Sequence, residues 1–566
     1  MTMRTLPILL CALAGGVGLV IGVRVFGGAA VAPAAPPTVR LLGGVPQGGI
    51  YTGVSEEPGD VNPFTVQAQA ARRLVLGNTH EALLDVDPRT GDLRPAVAES
   101  FELSADRRQC TFTLRAGICF ADGRPVTLDD VLFGWQLAQA GHLRLGSIAD
   151  AFARVSQVET IDERRFRIGF RDAHYASLRI VGTRWLVAQK QFFVDRVAAR
   201  SSPAPAPDPG SEAFARLLAQ VERECGPGTG PYRFDNPAEG PSGWRPHNDL
   251  ELTRNEHCWQ RQARPGTWNF DGIRLLFRDP AAATNALLLG QLDWFSSAAT
   301  RELLRAQPEL QQDYVPHTYD YDALGVYRVV WHCARGPTAD VRVRTALGML
   351  FDVEAWRRGC EGIGPRALAH CKPDSAALPQ VTALPFDPAA ARRQLRDAGF
   401  APEADRPLRL VVLALQGTDA LRRIADLFAD AASQAGIELE LRRRDLKGFM
   451  QDKATVEWHG LLTLQAFRPW GDPWDFLHSR GLDNEGQWVN AEADRLADAA
   501  QVEPQAAQRD AIWRELHTLV HREQPVALLA HPLVSMLLHR RIEGASIGPG
   551  GLVLDRAFVA AADQRR

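Results

Sequence analysis

Lysine is scarce in this chain of 566 residues: it stands only at Lys190, Lys372, Lys447 and Lys453, and arginine supplies the other cations. That bias reads as genome composition. Neither sign of charge is in excess, because 64 Lys and Arg face 67 Asp and Glu for a net charge of −3. This excludes a nucleic-acid binder held by counterion release. At 45% hydrophobic and 23% charged, the composition excludes a disordered, collagenous or polytopic membrane chain. The length suits about three to four domains or subdomains with large cores.

Catalytic signatures are missing as well. No cysteine pair has CxxC spacing, no His pair completes a zinc site, there is no HExxH, and no Gly-Lys-Ser/Thr marks a phosphate loop. Gly228-Thr229-Gly230 lacks the third glycine of a dinucleotide loop. Gly544-Ala545-Ser546-Ile547-Gly548 matches GxSxG, but a nucleophile elbow needs an acid and then a histidine downstream, and the last histidine is His539. His521 and His531, around Pro525, read as surface or core histidines, and the 13 Trp and 24 Phe mostly as core. The chain reads as no enzyme, with no metal and no cofactor.

What is present begins at the N-terminus. Met1 to Arg4 is positive, and Thr5 to Val23 is an apolar run of about 19 residues that as a helix would span roughly 28 Å. A usual signal h-region is shorter, so a retained anchor competes with a signal peptide cleaved near Gly28-Ala29-Ala30. Cys11 lies mid-run after Leu9-Leu10 and makes no lipobox; Gly18 and Gly22 form one weak GxxxG. Either fate exports everything after about residue 26, with 27–45 as a Pro/Ala linker. Export permits disulfides among Cys110, Cys119, Cys225, Cys258, Cys333, Cys360 and Cys371, an odd number that leaves at least one free, so they read as structural bridges or buried thiols. Cys225 and Cys258 flank a hairpin with strands 232–234 and 250–253, and Cys360 and Cys371 would close one short loop.

The body alternates strands and helices. Strand 273–277, the Asp279-Pro280 cap, helix 281–289, Gly290 and strand 292–295 form one unit; strand 408–415, a helix ending at Gly436 and strand 437–441 form another. Both read as βαβ units of parallel sheet. Asp387-Pro388 to Gly399 is a further capped helix, whereas 94–135 and 155–170 carry the short alternation of antiparallel strands. Ser201 to Gly210 is a Pro-rich exposed loop.

The order of segments resembles the solute-binding proteins of dipeptide, oligopeptide and nickel ABC importers, solute-binding family 5. Asn62-Pro63, His80-Glu81-Ala82-Leu83-Leu84 and Pro95 to Ser100 are similar to its early segments. The sharpest likeness runs from Cys110 to Val131, with Phe112-Thr113-Leu114-Arg115, Gly117, Phe120, Asp122-Gly123, Pro125-Val126-Thr127 and Asp129-Asp130-Val131. Gly228 to Tyr232, Arg254-Asn255, Gly290 to Trp294, Val343 to Leu347 with Phe351-Asp352, and Asp387 to Phe400 follow in order, so the likeness spans roughly residues 46 to 560. The resemblance implies an α/β fold of two hinged lobes, the large type II periplasmic binding protein with an extra antiparallel subdomain. Lobe I would be 46–280 and 516–566, with the subdomain inserted at about 80–175, and lobe II would be 281–515. It also implies a monomer outside the cytoplasmic membrane, binding a peptide or peptide-like solute and delivering it to ABC permease subunits. A membrane-anchored receptor or scaffold on the same fold is the alternative.

Ligand choice follows from a departure. Peptide binders of this family place an aspartate for the ligand's α-ammonium a few residues before a "DP..F" turn. Here the turn is Asp472-Pro473-Trp474-Asp475-Phe476, and Pro469 stands where that carboxylate belongs, beside Arg468. A proline accepts no ammonium proton and an arginine repels one, so the expectation is an anionic or N-blocked ligand. Asp472 or Asp475 serving instead, and Arg468 facing solvent or pairing with Asp472, remain open. The candidate ligand contacts are Gln67, Gln69, Phe467, Arg468, Trp470, Asp472 and Trp474.

Overall fold

The computed structural model describes residues 40–67, 71–145, 148–202, 204–234, 243–297, 299–319, 325–401, 406–467, 471–548 and 551–564. The apolar run, its spacer, and candidates Gln69, Arg468 and Trp470 lie outside the described residues. Among the described residues no helix is long and apolar enough to cross a membrane.

One body is built on a sheet in which Tyr232–Arg233, Asp249–Arg254, Gly272–Phe277 and Ile50–Ser55 lie in that order. The hairpin read from sequence forms, with Tyr232 opposite Arg254. Tyr51, Leu250, Leu252, Leu275 and Phe277 bury one face. The glycines of Gly228-Thr229-Gly230 are required by contact: a Cβ on Gly228 would lie 2.0 Å from the Thr79 carbonyl oxygen and one on Gly230 2.6 Å from that of Asn78. The inserted subdomain is antiparallel throughout, in the order Ala98–Leu103, Gln109–Leu114, Arg165–Phe170, Val155–Thr160. Phe112 and Phe166 stack at 5.5 Å in its core. Helix Leu128–Ala140 covers it, opened by a capping box between Thr127 and Asp130.

The second body is a six-stranded sheet in the order Ile363–Arg366, Val526–Pro532, Val326–Trp331, Gly460–Gln465, Leu408–Leu415, Ile437–Arg444. Helix Asp419–Gln434, capped by Thr418, returns the chain so that Leu408 to Leu415 run parallel to Ile437 to Arg444. Alternation along the strands buries both faces. Tyr327, Val329, Leu410, Val412 and Leu462 meet Phe428 on one side; Val330, Leu413 and Leu461 meet Trp488 and Trp513 on the other.

Between the bodies lies a three-stranded sheet, Trp294–Ser296, Val534–His539 and Tyr314–Tyr319. Val526–Pro532 passes almost directly into Val534–His539, so one run of chain serves both sheets. Asp293 and Arg541, 0% and 5% exposed, form a two-pronged ion pair there with both contacts at 2.6 Å. Asp293 also accepts from the Thr52 amide and Arg541 donates to the Ile50 carbonyl.

Three expectations are corrected. The unit 273–295 is not a parallel pair, since Trp294–Ser296 joins the crossing sheet antiparallel to Val534–His539 while Gly272–Phe277 pairs with Ile50–Ser55. The linker does not extend to 45, because Arg40–Leu42 pairs with Val45–Gln47. Residues 516–532, assigned to lobe I, complete helix Ala506–Glu523 and a central strand of the six-stranded sheet, while helix Pro280–Leu288, assigned to lobe II, packs with Leu276 and Leu537 on the first body's side. Strand pattern marks a strand but not its partner.

Of bridges and thiols the structure has thiols, and the pairings 225–258 and 360–371 are corrected: all seven cysteines beyond Cys11 are free. Cys360 packs against one face of the six-stranded sheet and Cys371 against the other. Cys225 sits in the first body's core, while Cys258 caps helix Trp259–Ala263, in a separate turn. Burial pushes the Cys110, Cys225 and Cys258 thiols up to about 12, so none is nucleophilic near neutrality. Thiol titration of the exported body, unreduced in denaturant, is expected to find seven reactive groups, with Cys110, Cys225 and Cys258 unreactive in the folded protein. Fewer in denaturant would show a bridge.

Candidate functional site

Strand Gly460–Gln465 pairs with Val326–Trp331, and Gln465 stands opposite Val326, the first residue after the chain crosses into this body. The loop that follows Gln465 therefore leaves the sheet at the crossing. Gly325 permits this approach: at φ +100° its Cβ position lies 1.7 Å from the Gln465 carbonyl oxygen, so any side chain there would collide with backbone. His531 donates from Nδ1 to the Gly325 carbonyl at 3.2 Å, and the half-buried Phe467 ring lies 5.9 Å from it. Gln67, exposed, donates to the Leu145 carbonyl at 3.3 Å.

Asp472 is buried, 4% exposed, and both its oxygens are occupied within the protein. Oδ1 accepts from the Trp474 amide at 2.8 Å; Oδ2 accepts from Gln501 at 3.2 Å and meets His174 Nε2 at 3.0 Å. The amine-receiving role left open for Asp472 is thus not the one it has here. Trp474, half-buried, donates its indole N–H to Asp498 at 2.9 Å and stacks on His478 at 4.3 Å, which holds its ring on its own body. Ser546 lies on strand Ser546–Gly548, in a short antiparallel ladder rather than a strand-to-helix turn.

The sequence reading missed Arg328. It is 2% exposed on Val326–Trp331, donates to Gln465 at 2.7 Å, and pairs with Glu485 at 3.3 Å. Burial draws its guanidinium down to about 10 without neutralising it. Its Cζ lies over the Phe476 ring at 5.4 Å, and the buried His370 stacks on the same ring at 5.8 Å. The signal was available: one arginine in the otherwise apolar run Val-Tyr-Arg-Val-Val-Trp needs a buried partner.

Several buried histidines are held neutral. Burial pushes His80 and His517 down to about 4, and His370 well below its usual value. An unfolded imidazole takes up its proton near pH 6.5, so these groups leave stability untouched above that pH and reduce it as the pH falls from about 6.5 through 4. The loss from His80 and His517 together approaches about 2.7 kcal/mol per pH unit within that window. We expect calorimetric melting to fall steeply between pH 6.5 and 4.5. His517→Gln, which can keep the bond to the Ala377 carbonyl, should fall less; an identical profile would contradict this origin.

The model of the family described as bacterial extracellular solute-binding proteins, family 5 Middle, matches residues 92–488. The chain is 23% identical over 506 residues to di/tripeptide-binding protein 2 of Pseudomonas aeruginosa, covering 83% of this chain and 87% of that protein. It is 22% identical over 539 residues to the probable deoxycholate-binding periplasmic protein YgiS of Escherichia coli, covering 85% and 88%. The fold matches the structure of HbpA2 from Haemophilus parasuis with a TM-score of 0.73 at 16% identity, covering 90% of this chain and 99% of that one. Two sheet bodies joined by crossing strands, an inserted antiparallel subdomain and a family match over most of the folded chain lead to one assignment: the protein belongs to family 5 of the bacterial extracellular solute-binding proteins.

Proposed function

We propose that this chain is the solute-binding component of an ABC importer whose solute is a peptide-like molecule that is anionic or blocked at its amine. The observation that carries the solute class is the state of Asp472: its carboxylate is spent on His174, Gln501 and the Trp474 amide, while Pro469 stands at the position where peptide binders carry their acceptor. Arg468 offers a planar fork suited to a carboxylate and Trp470 a face for stacking, with Phe467, Gln67 and Gln69 as further candidate contacts. A related protein named for deoxycholate, an acid without an amine, supports a family fold that accepts such ligands. The two bodies are preformed, so closing over the solute selects their relative angle and little else. We place the protein at the outer face of the cytoplasmic membrane, as a monomer that binds without turnover, with 5–23 as its anchor.

Calorimetric titration of Ala-Ala, N-acetyl-Ala-Ala and N-acetyl-Ala-Glu into the wild type and Arg468→Ala tests this. The acetylated acidic peptide should bind tightest, and the substitution should cost about 2–5 kcal/mol for it. At 100 times its dissociation constant it should add about 2.7 kcal/mol of stability. Tight binding of Ala-Ala, unchanged by the substitution, would overturn the solute class. Steady hydrolysis abolished by Ser546→Ala would overturn the binding role.

A further inference from the structure

The inserted subdomain meets the six-stranded body through the segment 172–176, between strand Arg165–Phe170 and helix Ser177–Arg184. His174 faces Asp472 across this junction, with side chains 2% and 4% exposed. The Ala176 amide donates to His174 Nδ1 at 3.0 Å, so Nδ1 is the acceptor and Nε2 carries the proton given to Asp472. The Tyr175 amide donates to the Gln501 carbonyl at 2.9 Å, and Arg509 sits 4.1 Å over the Tyr175 ring. Behind the segment, Arg107 donates to the Tyr175 carbonyl at 3.0 Å from a turn where its own φ is +58°, a conformation unfavourable for a residue with a Cβ. Three side chains and one backbone carbonyl, from three parts of the sequence, thus converge on five residues that carry no part of either core sheet.

From this we infer that 172–176 is a latch and that Asp472 is its strike plate. Seating His174 on Asp472 fixes the turn 471–474. His174 is then a positioning residue: its contact sets how firmly the turn 471–474 is held against the inserted subdomain. The inference rests on the reading that 467–474 faces the solute.

The test uses the full-length chain and two readouts. Amide hydrogen exchange without added solute should show the Tyr175 and Trp474 amides, on opposite bodies, exchanging at least tenfold faster in His174→Ala, with Leu408–Leu415 unchanged. His174→Gln, whose amide can donate from nearly the same place as Nε2, should restore protection. Affinity for N-acetyl-Ala-Glu should fall about tenfold in His174→Ala and recover in His174→Gln. Faster exchange confined to 172–177 overturns the latch. Faster exchange on both bodies with unaltered affinity keeps the latch and overturns the placement of 467–474 at the solute.

Discussion

A buried ion pair ties the crossing sheet to the first body. Asp293 and Arg541 lie where the crossing sheet meets the first body, and with the Thr52 amide and Ile50 carbonyl they bind three distant stretches of chain at one point. Two charges withdrawn from water are tolerated because each finds its hydrogen-bonding partners within the knot. Removing one would leave the other buried and uncompensated, at a cost of about 3–5 kcal/mol. This fixes where the crossing strands start, and so which edges of the two bodies face each other.

The residues that make the family visible in the sequence do work of this kind. Arg344, in the Val-Arg-Thr-Ala-Leu segment, is buried and donates to the carbonyls of Thr338, Ala339, Glu523 and Gln524, tying helix Val341–Gly348 to the turn before it and to the end of helix Ala506–Glu523. Glu81 accepts from Gln260 and Trp259 inside the first body, and burial raises its pKa against the pull of those donors. Asn255 donates to the Gly230 carbonyl, holding the tight turn into the hairpin. Each of these serves the scaffold. None of them belongs to the solute contacts proposed for the loop after Gln465.

That division explains what was legible. Asp279, Asp387 and Thr418 cap their helices, and the alternation of 109–114 against 165–170 yields an antiparallel pair, because both signals are local. Partnership over long range was not legible: nothing in Trp294-Phe295-Ser296 tells that its ladder is with Val534–His539, and nothing in the spacing of Cys360 and Cys371 tells that a sheet separates them. The candidate site divides the same way. The resemblance placed Phe467 and Trp474 among the candidate contacts, and the bond from Trp474 to Asp498 depends on a helix it could not see. The withdrawal of Asp472 into a contact with His174, 298 positions away, was not, because it depends on where an inserted subdomain comes to rest.

The proposed preference is for acidic or blocked solutes over free peptide amines. It is met most directly by purifying the exported protein without dialysis, denaturing it, and identifying by mass spectrometry the small molecule released. A near-stoichiometric solute bearing a carboxylate and no free α-amine is expected. A free-amine di- or tripeptide released in the same amount would contradict it.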